Sequence, residues 1–190
     1  MRMVAASMKN RMPILAILAL LISACAGPKT AIDRLWAELE NDAEHAEPLA
    51  DPDAKSMALT TERAQRAREL AASGALTSGR DHFRAAVVLA ESNDPKDWAL
   101  AATLGSKAAE LGEPLGLRAA AEAIDKDLVS QGLAQRYGTQ FAWDPALARW
   151  KLHRLDPATT DAERAAMGVP SYGELIQAEI VLNTRGTVMH

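Results

Sequence analysis

Ten consecutive apolar residues, Pro13 to Ile22, followed by Ser23-Ala24-Cys25, decide how much of this 190-residue chain is available to build a fold. Arg2, Lys9 and Arg11 are the only ionisable side chains ahead of Cys25, so a basic start precedes the apolar run. That run is well short of the ~20 residues a membrane-crossing helix needs, and it fits the apolar part of a secretory signal. Small residues flank the expected cut. Cys25 is the single cysteine of the chain, so no disulfide framework competes for its thiol.

This is the pattern of a bacterial lipoprotein signal, in which the cysteine thiolate accepts diacylglycerol and becomes the new N-terminus. The expectation is removal of residues 1–24, lipidation at Cys25, a short tether over 25–29, and one helical domain over 30–182. Acyl chains contribute ~0.8 kcal/mol per buried methylene, enough together to hold the protein on a bilayer. Ala26 follows the cysteine where Asp would favour retention at the inner membrane. The expected location is therefore the cell envelope, at the outer membrane and facing the periplasm, in a host with two membranes.

Beyond Cys25 the chain carries all 25 acids and 18 of the 21 bases, a formal charge of −7. Such an acidic body argues against nucleic acid and against adhesion to anionic lipid. The partners it leaves are the bilayer, through the acylated cysteine, and another envelope protein. Without disulfides, packing alone must hold the fold.

Apolar spacing and start signals then read as helices. Ile32, Leu35, Trp36 and Leu39 make one face of a helix over 30–46, and a second runs over 55–72 to Ser73-Gly74. Ser78-Gly79-Arg80-Asp81 has the spacing of a capping box with Asp for Glu, and the nearly all-apolar Phe83–Ala90 behind it is a core candidate. Asn93-Asp94-Pro95 starts another helix, whose stripe is Trp98, Ala101, Ala102, Leu104, Ala108 and Leu111, with Gly112 as its cap. A further helix follows Glu113-Pro114 and ends by Gly132. Tyr137–Trp143 and Arg149–Leu155 then read as two strands of a hairpin around Asp144-Pro145-Ala146. Thr160–Glu163 and Ser171–Glu174 open two closing helices, the last reaching about Leu182, with 183–190 expected to fray. The expected class is mainly α: an array of about six to seven helices with a small C-terminal β-hairpin.

Lys107-Ala108-Ala109-Glu110-Leu111-Gly112 and the Ala-rich helix after it resemble one Sel1-type or tetratricopeptide hairpin, in which small residues let helices approach closely. One unit is legible, where a stack needs about three.

A broader resemblance rests on Asp81-His82-Phe83-Arg84-Ala85-Ala86, Asn93-Asp94-Pro95, Asp125-Lys126, Gln135-Arg136-Tyr137-Gly138-Thr139-Gln140 and Asp161-Ala162-Glu163-Arg164-Ala165-Ala166-Met167-Gly168-Val169-Pro170. Over about 60–180 the chain resembles the bacterial family called domain of unknown function 6624, of which Tyr-Gly-Thr-Gln with a preceding Gln is the most specific mark. The resemblance implies a mainly helical domain and no established activity. Many relatives carry Gln-His before the Asn-Asp-Pro turn, where this chain has Ala90-Glu91, and commonly Arg where it has Lys126. Chemistry that depends on that His is absent here.

Asp125, Gln135, Tyr137, Thr139 and Gln140 are the candidate ligand-binding residues, either lining a polar pocket or forming a junction that holds the hairpin to the helices. His82 would serve as a base only if Asp125 oriented it. Glu38, Asp42 and His45 share a helix face at metal-ligand spacing, which is also the spacing of an ordinary solvated face. Trp36 and Trp98 belong to apolar stripes, whereas Trp143 and Trp150 flank the hairpin turn and suit a contact surface. The chain has no HExxH, GxSxG or phosphate-binding Gly loop, so no catalytic residue, metal ligand or cofactor is assigned. The favoured reading is a non-catalytic interaction or structural module on a lipid anchor. The alternative is a periplasmic ligand-binding protein or hydrolase with a polar pocket near Asp125, Tyr137 and Gln140.

Overall fold

The computed structural model describes residues 30–45 and 54–185. The expected signal segment, Cys25 and the tether, the turn expected at Asp51-Pro52-Asp53, and residues 186–190 lie outside the described residues. Helices α1 (Ala31–His45), α2 (Ala54–Ala72), α3 (Gly79–Ala90), α4 (Pro95–Glu110) and α5 (Gly116–Ser130) are followed by strands β1 (Phe141–Asp144) and β2 (Arg149–Leu152). Helices α6 (Asp161–Ala166) and α7 (Tyr172–Arg185) close the chain. The class is mainly α with a C-terminal hairpin, as the sequence indicates.

Local chemistry starts these helices where the sequence places the starts. Ser78 and Asp81 form a reciprocal capping box on α3, Thr160 and Glu163 do so on α6, and Asp94 caps α4 with Pro95 just inside. Each box satisfies backbone N–H groups that the first helical turn leaves without partners.

Helix α3 is the centre of the molecule. It is buried at Phe83 and continuously from Ala85 to Ala90, because α1, α2, α4 and α5 all pack on it. Ile32, Leu35 and Trp36 of α1 seal one side, with the Trp36 and Phe83 rings 5.9 Å apart. Charged pairs add to this packing: Arg84 of α3 to Asp33 of α1, and between outer helices Arg68 to the buried Asp97 at 2.6 Å and Arg66 to Glu38 at 3.2 Å.

Small residues bring α4 and α5 together. A Cβ on Gly105 would lie 2.7 Å from the Ala120 nitrogen, and one on Gly116 would overlap the Ala109 backbone. The two contacts run in opposite directions along the two helices, so α4 and α5 form an antiparallel hairpin. Helix α5 has two working faces. Ala119 and Ala123 enter the main core, while Ala121 and Ile124 pack with Tyr137, Met167 and Val169 in a second, smaller cluster.

Four sequence readings need correction. The strands are four residues each, since Tyr137–Gln140 is loop. Leu111 ends the α4 stripe at 46 % exposure, because α4 stops at Glu110 and Gly112 turns the chain away at φ +84°. Gly112 therefore stands one residue beyond the cap. The last helix continues to Arg185, so Asn183 is not frayed.

Candidate functional site

The site residues picked out in the sequence do come together, on the face of α5 that looks away from the main core. Asp125 is fully buried there. Its Oδ1 accepts the backbone N–H groups of Arg136 (2.7 Å) and Tyr137 (3.0 Å), and its Oδ2 accepts Thr139 N–H and Thr139 Oγ1–H, each at 3.0 Å. A carboxylate saturated by backbone donors organises a loop as an anion would. Gly138 makes that wrap possible. It sits at φ +89° against the Leu155 and Leu175 side chains, where a Cβ would overlap Leu175.

Gln135 closes the base of the hairpin. Its Nε2 donates to the carbonyls of Gln140 (3.1 Å) and His153 (2.9 Å), and its Oε1 accepts Gln140 N–H at 2.8 Å. Gln140 in turn donates from Nε2 to the Thr139 hydroxyl at 3.0 Å and to the Glu122 carbonyl at 3.3 Å. The Lys126 ammonium meets the Ala90 carbonyl and lies 5.6 Å from the Trp98 ring centre.

Glu122, one turn before Asp125, is the electrostatic outlier. Burial pushes its carboxyl up to about 7, against the pull of the Arg118 guanidinium 3.1 Å away, and Glu91 and Asp125 add like-charge repulsion. Glu91 Oε1 is buried there without a hydrogen-bond partner among the described residues.

His82 is not joined to Asp125: its Nδ1 is 2.8 Å from the Ser78 carbonyl, while the Asp125 oxygens are engaged by the loop over 136–139. The acidic face of α1 is an ion-pair seam. Arg63 meets Asp42, and Glu38 meets Arg66; no group of three or more metal-ligating side chains exists among the described residues. The His45 side chain lies outside them. Trp36 and Trp98 are buried, as expected, and Trp143 and Trp150 face each other across the hairpin edge to face, 5.8 Å apart and half-buried.

A concave surface lies elsewhere on the described residues. An open groove of about 580 Å³ runs between β2, the segment after it, α6 and α7, and its lining includes Leu155, Asp161, Arg164, Tyr172 and Ile176. None of Asp125, Gln135, Tyr137, Thr139 and Gln140 lines it. Helix α7 forms its wall and also covers the outer edge of β2. Asn183 accepts Trp150 N–H at 2.7 Å and donates to the Trp150 carbonyl at 2.9 Å, and Glu179 accepts Leu152 N–H at 2.8 Å. The sequence reading missed Glu179, Asn183 and Arg164. The four-residue spacing of Glu179 and Asn183 on one helix face was the available signal.

Compared with family models, curated proteins and solved structures, the chain matches none.

Proposed function

We propose that the protein is a lipid-anchored component of the bacterial cell envelope that works by binding, not by catalysis. The observation that carries this reading is the basic start and the apolar run ending in Ile22-Ser23-Ala24-Cys25. Acylation of Cys25 then holds the domain at the outer membrane, facing the periplasm, with Ala26 rather than Asp as the sorting residue. Membership of the family called domain of unknown function 6624 is part of the proposal, resting on the Tyr-Gly-Thr-Gln motif.

The geometry favours binding over hydrolysis. Asp125 spends both carboxylate oxygens on the loop beside it, so it is not available as a base. The groove, by contrast, is open and mixes apolar with charged side chains. It is the face we assign to an envelope partner. Cross-linking of tagged full-length protein in native envelopes, with Cys25→Ala as the unanchored control, tests the reading. One stoichiometric envelope protein, weakened in the control, is the expected outcome. A Cys25→Ala protein that stays in the membrane fraction would contradict the anchor.

A further inference from the structure

We propose that the turn between α4 and α5 rests in the zwitterionic phospholipid headgroups beside the anchor, with Leu111, Leu115 and Leu117 as its apolar contacts. This rests on the lipid-anchor reading above, which it extends from the tether to a face of the folded domain.

The tether limits which face that is. Thr30, where the described chain begins, comes five residues after Cys25, a reach of about 17 Å at full extension. Thr30 is itself held on the fold: its N–H donates to Asp33 Oδ2 at 2.7 Å, and Asp33 Oδ1 meets the Arg84 guanidinium. Arg84 stands about 7.5 Å along α3 from Gly79, and helical side chains lean toward the N-terminus, so the start of α1 is fixed beside the first half of α3. The turn between α4 and α5 packs on that same end. A Cβ on Gly79 would lie 3.1 Å from both the Glu113 Cβ and the Leu111 carbonyl oxygen.

Leu111, Leu115 and Leu117 are 46 %, 37 % and 37 % exposed. All three stand within one helical turn of the tip, since α4 ends at Glu110 and α5 begins at Gly116. Other exposed apolar side chains lack this position: Leu147 belongs to the hairpin, on the face of α5 turned away from the core that α1 seals. Charge selects the lipid. Lys107 pairs with Glu110 at 2.9 Å and Arg118 with Glu122 at 3.1 Å, so residues 107–122 hold no excess of basic charge. The formal charge of −7 beyond Cys25 is repelled by an anionic surface. Zwitterionic headgroups impose no such penalty, and binding at the interface then scales with the apolar area buried.

Spin labelling of the full-length lipidated protein in phosphatidylcholine vesicles tests this, because lipid consumes the Cys25 thiol and an introduced cysteine is then the single label site. The label on Leu115→Cys should collide with a water-soluble nickel chelate about fivefold less often than the label on Leu147→Cys. Adding Leu111→Ser and Leu117→Ser should raise nickel access at the Leu115→Cys label about threefold at an unchanged melting temperature, which separates apolar docking from mere nearness to the bilayer. Equal nickel access at the two labels, a protected label on Leu147→Cys beside an open one on Leu115→Cys, or protection unaltered by the two serines overturns the proposal. With Cys25 lipidated, any of those results leaves the anchor standing while the docking face fails. A free Cys25 thiol defeats the anchor reading instead. The double variant Cys25→Ala/Leu115→Cys, mixed with the same vesicles, then decides the turn by itself: nickel protection sustains the leucine contact, and nickel access overturns it.

Discussion

The two faces of α5 hold their neighbours by opposite means. Toward α4, contact is through the absence of side chains: Gly105 and Gly116 let backbone meet backbone, and the Ala-rich interface carries few polar groups. Toward the hairpin, contact is through polar brackets, with Asp125 gathering four donors and Gln135 joining the two strands. The apolar cluster under that second face is small, centred on Ala121, Tyr137 and Val169. A helical core can therefore persist where the hairpin region depends on a few buried hydrogen bonds, each expensive to leave unmade.

Breaking the polar side should produce the largest effect. Asp125→Ala orphans three backbone N–H groups and the Thr139 hydroxyl in a buried place, and about 4 kcal/mol of stability should be lost. Urea unfolding reads this directly. An unchanged midpoint would mean that water replaces the carboxylate and that the bracket is dispensable.

Breaking the small-residue side comes next. Gly116→Ala forces a methyl group into the Ala109 backbone, and overpacking of this kind costs about 3 kcal/mol. Thermal melting should show the loss, whereas Gly173→Ala, with open space around it, should melt like wild type.

Glu122 sharpens the comparison through pH. Its folded carboxyl titrates near 7 against 4.5 as the ordinary value, so between those values the folded state holds more protons than the unfolded one. Stability contributed by this group is thus fully present below about 4.5 and declines as pH rises to about 7, by roughly 3 kcal/mol in all. Asp81, held low against its burial by bonds from Ser78 and Thr77, acts in the opposite sense and favours folding above the ordinary Asp range. Glu122→Gln keeps an acceptor for Arg118 and should flatten the decline, leaving the variant the more stable protein at pH 8. A wild-type decline that survives in Glu122→Gln assigns the effect to another group.

The smallest effect is expected at the edge of the hairpin. Asn183→Ala removes two bonds to Trp150 from a half-buried place, worth about 1 kcal/mol, and should raise exchange of the Trp150 amide without altering α1–α4.

What was legible in the sequence divides along the same line. Helix starts were readable because a cap is chemistry within four residues: Ser78 with Asp81, Asp94 with Pro95, Thr160 with Glu163. The core positions of α3 followed from its unbroken apolar run. Strand ends were not readable, because Tyr137–Gln140 has strand-like composition while the N–H groups of Tyr137 and Thr139 are claimed by Asp125, up to 14 residues earlier, and that of Gln140 by the Gln135 side chain. The site was half legible. Its residue types and their meeting were foreseen, yet whether they line a cavity depends on where α6 and α7 dock, and contacts such as Trp150 to Asn183 span 33 residues. Arg164 is legible only as part of a motif, since nothing local in the sequence tells a buried guanidinium from an exposed one.

Native-state hydrogen exchange on Asp125→Asn tests the central claim most directly, because Asn keeps the shape while replacing one acceptor oxygen with a donor. We predict that amides of 136–144 and 149–155 lose protection while those of α1 to α4 keep theirs. Protection in the hairpin equal to that of wild type would contradict the account, and would return Asp125 to the class of residues available for binding.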